Sequence, residues 1–229
     1  MKSETPLREI NAWARAGLMG SWGRSMGVIV VYAILLVGVV TVPYAGVILM
    51  LIFAPALVAG IHMYFLACVR KMHNPLSLLL DGFGQFGTSW CAFMLAALVM
   101  LAWTAPIMAL IPAVVLFVHL DPATFPAYTL PAIYALITLT ASGLLIALQM
   151  RYYFVLYLVA DDPSLRAREA VHRSVELMEG NYWRLAVLWL RFTGWQAVAV
   201  LTVGIGFLWL IPYMCAATAM FYRDIKDRA

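Results

Sequence analysis

The sequence predicts an all-α protein: a polytopic membrane helix bundle with six transmembrane helices arranged as three hairpins, each preceded by a cytoplasmic-side amphipathic helix. Three observations carry that prediction. Hydrophobic residues make up 65% of the 229-residue chain and charged residues 11%, against roughly 45–50% and about 25% in soluble domains. The apolar residues fall in runs that match the length of about 20 residues a spanning helix needs. The basic residues gather in alternate connections between those runs.

The elements follow in order within one membrane domain, 1–229. Residues 1–24 form the first interfacial helix. Thr5-Pro6 offers an N-cap and a proline at the first helical position, and Leu7, Ile10, Trp13, Ala14, Gly17 and Leu18 recur at helical spacing opposite Arg8, Glu9, Asn11 and Arg15. A cleaved signal peptide would place its apolar stretch directly after a short basic start. Here the first apolar run begins only near Ser25, so the first span is read as retained.

Hairpin 1 covers 25–69, with runs Ser25–Val42 and Tyr44–Val69 divided at Pro43. The second interfacial segment, 73–87, opens at Asn74-Pro75 and sets Leu76, Leu79, Leu80 and Phe83 on one face. Hairpin 2 covers 88–160, with runs Thr88–Val118 and Phe125–Ala160. Both exceed what a bilayer requires, so Pro106 and Pro112 are expected to bend the first rather than end it. The third interfacial helix, 162–180, opens at Asp162-Pro163. Its Ala167, Ala170, Val171, Ser174, Val175 and Met178 lie opposite Arg166, Glu169, Arg173 and Glu176. Hairpin 3 covers 185–222, with runs Leu185–Thr202 and Ile205–Tyr222, and a basic tail fills 223–229.

Orientation follows from the cations. With the N-terminus in the cytoplasm, Lys2, Arg8, Arg15, Arg24, Arg70, Lys71, Arg151, Arg166, Arg168, Arg173, Arg184, Arg223, Lys226 and Arg228 all fall on that side. The opposite connections, around Pro43, His119 to Thr124 and Val203-Gly204, contain no Lys or Arg. This is the positive-inside pattern of a multi-pass protein of the bacterial inner membrane with both termini cytoplasmic. The net charge of +4 therefore points to contact with the bilayer and its anionic headgroups rather than to nucleic acid.

The junctions repeat. Leu18-Met19-Gly20-Ser21-Trp22-Gly23-Arg24, Leu80-Asp81-Gly82-Phe83-Gly84-Gln85-Phe86 and Met178-Glu179-Gly180-Asn181-Tyr182-Trp183-Arg184 each set a glycine before aromatics. Pro55 precedes Met63-Tyr64-Phe65 by the interval at which Pro212 precedes Met220-Phe221-Tyr222. These are three copies of one unit, an interfacial helix followed by a hairpin.

Few groups suggest chemistry. Gly82, Gly84 and Gly87 spell G-x-G-x-x-G, but no strand precedes them, and the repeat accounts for the glycines. Gly23 and Gly27 spell G-x-x-x-G, a pattern that permits close helix packing. Cys68, Cys91 and Cys215 lie in apolar runs without metal-ligand spacing and read as small buried hydrophobes. The adjacent acids Asp161-Asp162 read as a helix cap and first-turn charge. No nucleophile motif, P-loop or H-E-x-x-H is present, and the apolar runs hold no carboxylate for a proton relay, so no enzymatic activity and no cofactor or metal is expected.

The intramembrane polar candidates are Arg191, His62, Gln196 and Gln149. Arg191, roughly 10 Å deeper than Arg184, either snorkels to the interface, pairs inside the bundle or contacts a substrate or headgroup, with Trp195 on the same face for its guanidinium to stack upon. Convergence of Arg191, His62 and Gln196 on one cavity would favour transport, and separate contacts would favour a scaffold.

Several stretches together resemble a known family. They are Leu7-Arg8 with Ala12-Trp13, Gly20-Ser21-Trp22-Gly23, Leu80-Asp81-Gly82-Phe83 with Phe86, and Ala160-Asp161-Asp162-Pro163 with Glu169-Ala170-Val171, Ser174, Met178 and Gly180. The most specific are Phe192-Thr193-Gly194-Trp195, the segment Leu201 to Trp209, Pro212-Tyr213 and Ala219-Met220-Phe221-Tyr222. They resemble the bacterial membrane-protein family known as domain of unknown function 975, over nearly the whole chain. The chain departs from that pattern by added length around Trp103 to Pro131, and by Arg191 where a small polar residue is expected. The resemblance implies membrane class and architecture and brings no catalytic residues. The expected function is that of a non-enzymatic scaffold or a lipid- or protein-interacting membrane protein, with a homo-oligomer or a membrane partner as possible assemblies; the alternative is a small-molecule or lipid transporter or a membrane subunit of one.

Overall fold

A computed structural model of the chain describes residues 5–73, 75–120 and 129–228. The expectations placed on Lys2, on Asn74 and on the start of the fourth run at Phe125 lie outside those residues. The apolar runs and their junctions fold into α1 (Leu7–Leu18), α2 (Trp22–Val40), α3 (Gly46–Val69), α4 (Leu78–Asp81), α5 (Phe86–Leu120), α6 (Thr129–Tyr152), α7 (Val155–Asp161), α8 (Ala167–Met178), α9 (Tyr182–Leu201) and α10 (Phe207–Lys226). A 3₁₀ turn over Gly82–Gln85 separates α4 from α5, and no strand occurs among the described residues.

Among the described residues, four stretches are long and apolar enough to cross a membrane: Trp22–Val40, Gly46–Val69, Leu78–Leu110 and Pro131–Asp161. Helices α9 and α10 have 20 residues each, but Arg184, Arg191 and Gln196 on one and Arg223, Asp224 and Lys226 on the other make them less apolar. Pro55, Pro106, Pro112 and Pro212 all lie inside continuous helices. Breaking a helix in lipid would strand more backbone groups than the single donor each proline removes.

The first and third copies of the repeat share their geometry. Helices α1 and α8 each have 12 residues and bury one face, Ile10, Ala14, Gly17 and Leu18 in one, Ala170, Ser174, Leu177 and Met178 in the other. Arg8, Glu9, Arg166, Glu169, Arg173 and Glu176 are exposed. Both helices close alike: the Met19 N–H donates to the Arg15 carbonyl and Ser21 N–H to Leu18, as Glu179 N–H donates to Val175 and Asn181 N–H to Met178. Between each pair of donors sits a left-handed glycine, Gly20 at φ 83° and Gly180 at φ 79°. A side chain there would cost about 1–2 kcal/mol.

The middle copy departs from this plan. Its amphipathic segment is a four-residue helix passing into the 3₁₀ turn, and Gly82 has a helical φ of −56°. Gly82 is required for a different reason. A Cβ on it would overlap the Ala56 carbonyl of α3, and one on Gly60 would overlap the Leu79 carbonyl. The segment and α3 touch backbone to backbone. By contrast Gly23 has nothing within 4 Å of such a Cβ and Gly27 only a Leu76 methyl at 3.9 Å, so the G-x-x-x-G pattern brings no helices together. Gly17 does, against Val69 of α3.

Three local expectations are corrected. Pro6 itself caps α1, with no side-chain cap bond, because the Thr5 hydroxyl is used elsewhere. Helix α8 begins at Ala167 with Arg166 as its N-cap residue, after a turn in which Asp162 accepts hydrogen bonds from the Ser164 hydroxyl at 2.6 Å and its N–H at 3.0 Å. Those two bonds, the hydroxyl first, hold the Asp162 carboxyl below the usual carboxylate range. The fourth run is divided between α6 and α7 at Tyr153-Phe154. Phe154 is fully buried there, against Tyr157, Phe221 and Tyr222, and this packing wins over helix continuity.

Buried residues concentrate at one end of the bundle. On α3 they run from Pro55 to Val69 and on α10 from Leu210 to Ile225, joined by α7 and the buried faces of α1 and α8. At the other end Ile34 and Val37 of α2, Val47 and Ile48 of α3 and Leu201 of α9 are exposed. The packed end also carries the charges.

Candidate functional site

Helix α3 stops with the Lys71 N–H donating to the Cys68 carbonyl and the Met72 N–H to Ala67, while Lys71 takes the left-handed φ of 55°. This is the paired-bond pattern that ends many helices, and it leaves Arg70 at the helix terminus. The Arg70 guanidinium reaches Asp161, the last residue of α7, at 2.5 Å. Lys226, the last residue of α10, reaches the other carboxylate oxygen at 2.5 Å, and the Tyr222 hydroxyl donates to that oxygen at 3.3 Å. Tyr222 and Lys226 are neighbours on one face of α10 by their i,i+4 spacing. The Asp161 side chain is 3% exposed. The hydrogen bond to that carboxylate raises the Arg70 pKa further and keeps the guanidinium charged.

Asp161 was expected to cap a helix start. It instead ends a helix and joins the terminal residues of α3, α7 and α10. A second carboxylate does similar work. Asp224 of α10 accepts from the Thr5 hydroxyl at 2.6 Å and pairs with Arg228 at 3.3 Å and Arg184 at 3.8 Å. Arg184, at the start of α9, also donates to the Thr5 carbonyl. The chain before α1 is thereby fixed to α9 and α10.

An aromatic column leads inward from the Asp161 cluster. The Tyr222 and Tyr157 ring centroids lie 5.4 Å apart, and Tyr157 stacks on His62 of α3 at 3.7 Å and 18°. Tyr153 meets Trp189 of α9 edge to face at 4.9 Å. Beyond these rings lies a cavity of about 550 Å³, bounded by α3, α6, α7, α9 and α10, with His62, Tyr157, Thr193, Gln196, Cys215 and Thr218 in its lining. Met150, Trp189, Leu190, Ile211 and Met214 supply much of its apolar wall.

Of the four intramembrane polar candidates, the structure brings His62 and Gln196 to this one cavity. The Nδ1 atom of His62 is buried with no hydrogen-bond partner among the described residues, while the imidazole bonds the Leu156 backbone. Gln196 donates only to the Met214 sulfur, at 3.7 Å, a weak acceptor. Arg191 and Gln149 are exposed and outside the cavity, and Trp195, 65% exposed, makes no ring contact with Arg191. Cys68 is buried beside Ser21 at 3.1 Å, Cys215 lines the cavity, and Cys91 is exposed on α5 rather than buried. Among the described residues no three His, Cys, Asp or Glu side chains gather as a metal site would require.

Sequence reasoning missed Arg70, Asp161, Tyr222 and Lys226 as a unit. The signal available was weak: each stands at the end of an apolar run, and only their meeting in space gives them a shared role.

The family model described as protein of unknown function (DUF975) matches residues 1–229, the whole chain, and the chain therefore belongs to that family. No curated protein and no solved structure matches it. Family and apolar helices together identify a membrane protein.

Proposed function

We propose that the protein crosses the bacterial inner membrane six times as three hairpins with both termini in the cytoplasm, and that it acts without catalysis, by binding lipids or a membrane partner. The single observation that carries this reading is the meeting of Arg70, Asp161 and Lys226. The C-terminal ends of α3, α7 and α10 meet there, which supports reading the three segments as running in one direction. Each is preceded by a helix that must run the other way, α2 before α3, α5 before α6 and α7, and α9 before α10. These reversals support six crossings, and the absence of Lys and Arg from the far turns supports a cytoplasmic charged end.

Lipid contact has its own support. A groove of about 370 Å³ between α1, α9 and α10 is walled by Trp195, Trp209 and Tyr213, with Arg15 at one end. The Arg15 Nε donates to the Tyr213 hydroxyl at 3.1 Å, and its exposed guanidinium suits an anionic headgroup whose chain lies along the tryptophans. A small-molecule or lipid transporter, or a membrane subunit of one, is the second reading. What favours it is the cavity that His62 and Gln196 share.

Reporter fusions test the topology. A fluorescent-protein fusion after Ala229 is expected to fluoresce, and alkaline phosphatase inserted after Tyr44 or Gly204 to be active. Active phosphatase at the C-terminus would overturn the six-span reading.

A further inference from the structure

We infer that the cavity between α3, α7, α9 and α10 binds one uncharged amphiphile drawn from the bilayer, a molecule with a neutral hydrogen-bonding head and an apolar body, its head held by Gln196 beside the His62 ring. The inference rests on the membrane placement proposed above, since the molecule must enter from lipid. Size fits first: about 550 Å³ lies within the roughly 300–1,000 Å³ of ligand pockets.

The lining decides the charge of the head. No Asp, Glu, Lys or Arg lines the cavity. An ionised head would sit there without a counter-charge, in surroundings where an unpaired charge is costly. A neutral head meets the opposite situation. The Gln196 amide has only a thioether, while the neighbouring His62 imidazole already bonds the Leu156 backbone. A primary amide offers both a donor and an acceptor. A hydroxyl or ester head can bond that amide, and the bond replaces a weak contact with sulfur rather than a bond to water. Met150, Leu190, Ile211 and Met214 surround the remaining volume with aliphatic and thioether surface, and the two methionines adapt to chains of differing shape.

Native mass spectrometry of the full chain in a neutral detergent provides the test, with monooleoylglycerol as the probe and oleoylglycerol phosphate as its charged counterpart. The two share a body and differ in the head. The wild type is expected to retain one monooleoylglycerol and to bind the phosphate at least about tenfold more weakly. Gln196→Leu, which removes the head's partner, is expected to weaken retention about tenfold. Ala186→Trp, which fills the cavity from α9, is expected to abolish it. Equal retention of both amphiphiles, retention unchanged by both substitutions, or no retention by the wild type would each overturn the inference. Failure of the six-span reading would appear separately, in the reporter fusions, whatever the ligand result.

Discussion

Gly60 of α3 and Gly82 of the 3₁₀ turn face each other so closely that neither position has room for a methyl group. A Cβ on Gly60 would overlap the Leu79 carbonyl, and a Cβ on Gly82 would overlap the Ala56 carbonyl. Both obstacles are backbone atoms, which cannot rotate away as a side-chain tip can. Gly60→Ala and Gly82→Ala are each expected to destabilise the protein by about 3 kcal/mol, the upper range for overpacking. Gly84, in the same G-x-G-x-x-G stretch, has nothing within 4 Å of a Cβ. Gly84→Ala should leave the unfolding midpoint in detergent almost unchanged, and an equal loss at all three positions would contradict the packing explanation.

The left-handed glycines of the first and third junctions make a second, smaller prediction. Gly20 has open space around a Cβ, so the cost of Gly20→Ala is conformational only, about 1 kcal/mol. Gly180 holds nearly the same φ, and Gly180→Ala should cost about as much. Denaturant titration of the two variants measures this. Gly20→Asn should cost less than Gly20→Ala, since asparagine tolerates this conformation better.

A pH effect follows from Asp162. Its folded pKa lies below its ordinary value because Ser164 donates two hydrogen bonds to the carboxylate. A depressed carboxyl stabilises the fold above its unfolded pKa, and the contribution disappears as pH falls through the folded value. Asp162→Asn should therefore lower the melting temperature slightly near neutrality, and the difference from wild type should shrink once the pH drops below about 4. A difference that stays constant with pH would assign the effect to the turn itself and not to its charge.

What was legible in the sequence was whatever obeys a local period. The buried faces of α1 and α8 follow from residues three and four apart, because neighbouring turns of one helix bring them together regardless of the rest of the chain. His62 and Gln196 stood out as polar groups in apolar runs, but their spacing gave no means of separating them from Arg191 and Gln149. Only the packing of α3 against α7 and α10 shows which two share a cavity. The division at Tyr153-Phe154 carries neither glycine nor proline, and its cause lies in aromatic partners from α10. Asp161 was misjudged for a related reason. Next to a proline-containing turn, a carboxylate satisfies the local rule for a cap, while its actual partners belong to the first and third copies of the repeat.

That partnership yields the sharpest prediction. Asp161 is almost fully buried and holds two cations that are about one-third exposed, Arg70 at 34% and Lys226 at 38%. Replacing it with asparagine removes the charge that keeps the two cations together and leaves them facing each other across a neutral amide. For a fully buried cluster the loss would be 3–5 kcal/mol. Solvent screening of the two partly exposed cations reduces this to about 2 kcal/mol. Arg70→Met should cost less than Asp161→Asn, because Lys226 and the Tyr222 hydroxyl continue to satisfy the carboxylate. In a double-mutant cycle the two substitutions should couple by about 1 kcal/mol or more, whereas Glu169→Gln, which breaks the exposed pair with Arg173, should cost under about 0.5 kcal/mol. Additivity of Asp161→Asn and Arg70→Met would mean that the ends of α3 and α7 are held together by their apolar packing alone.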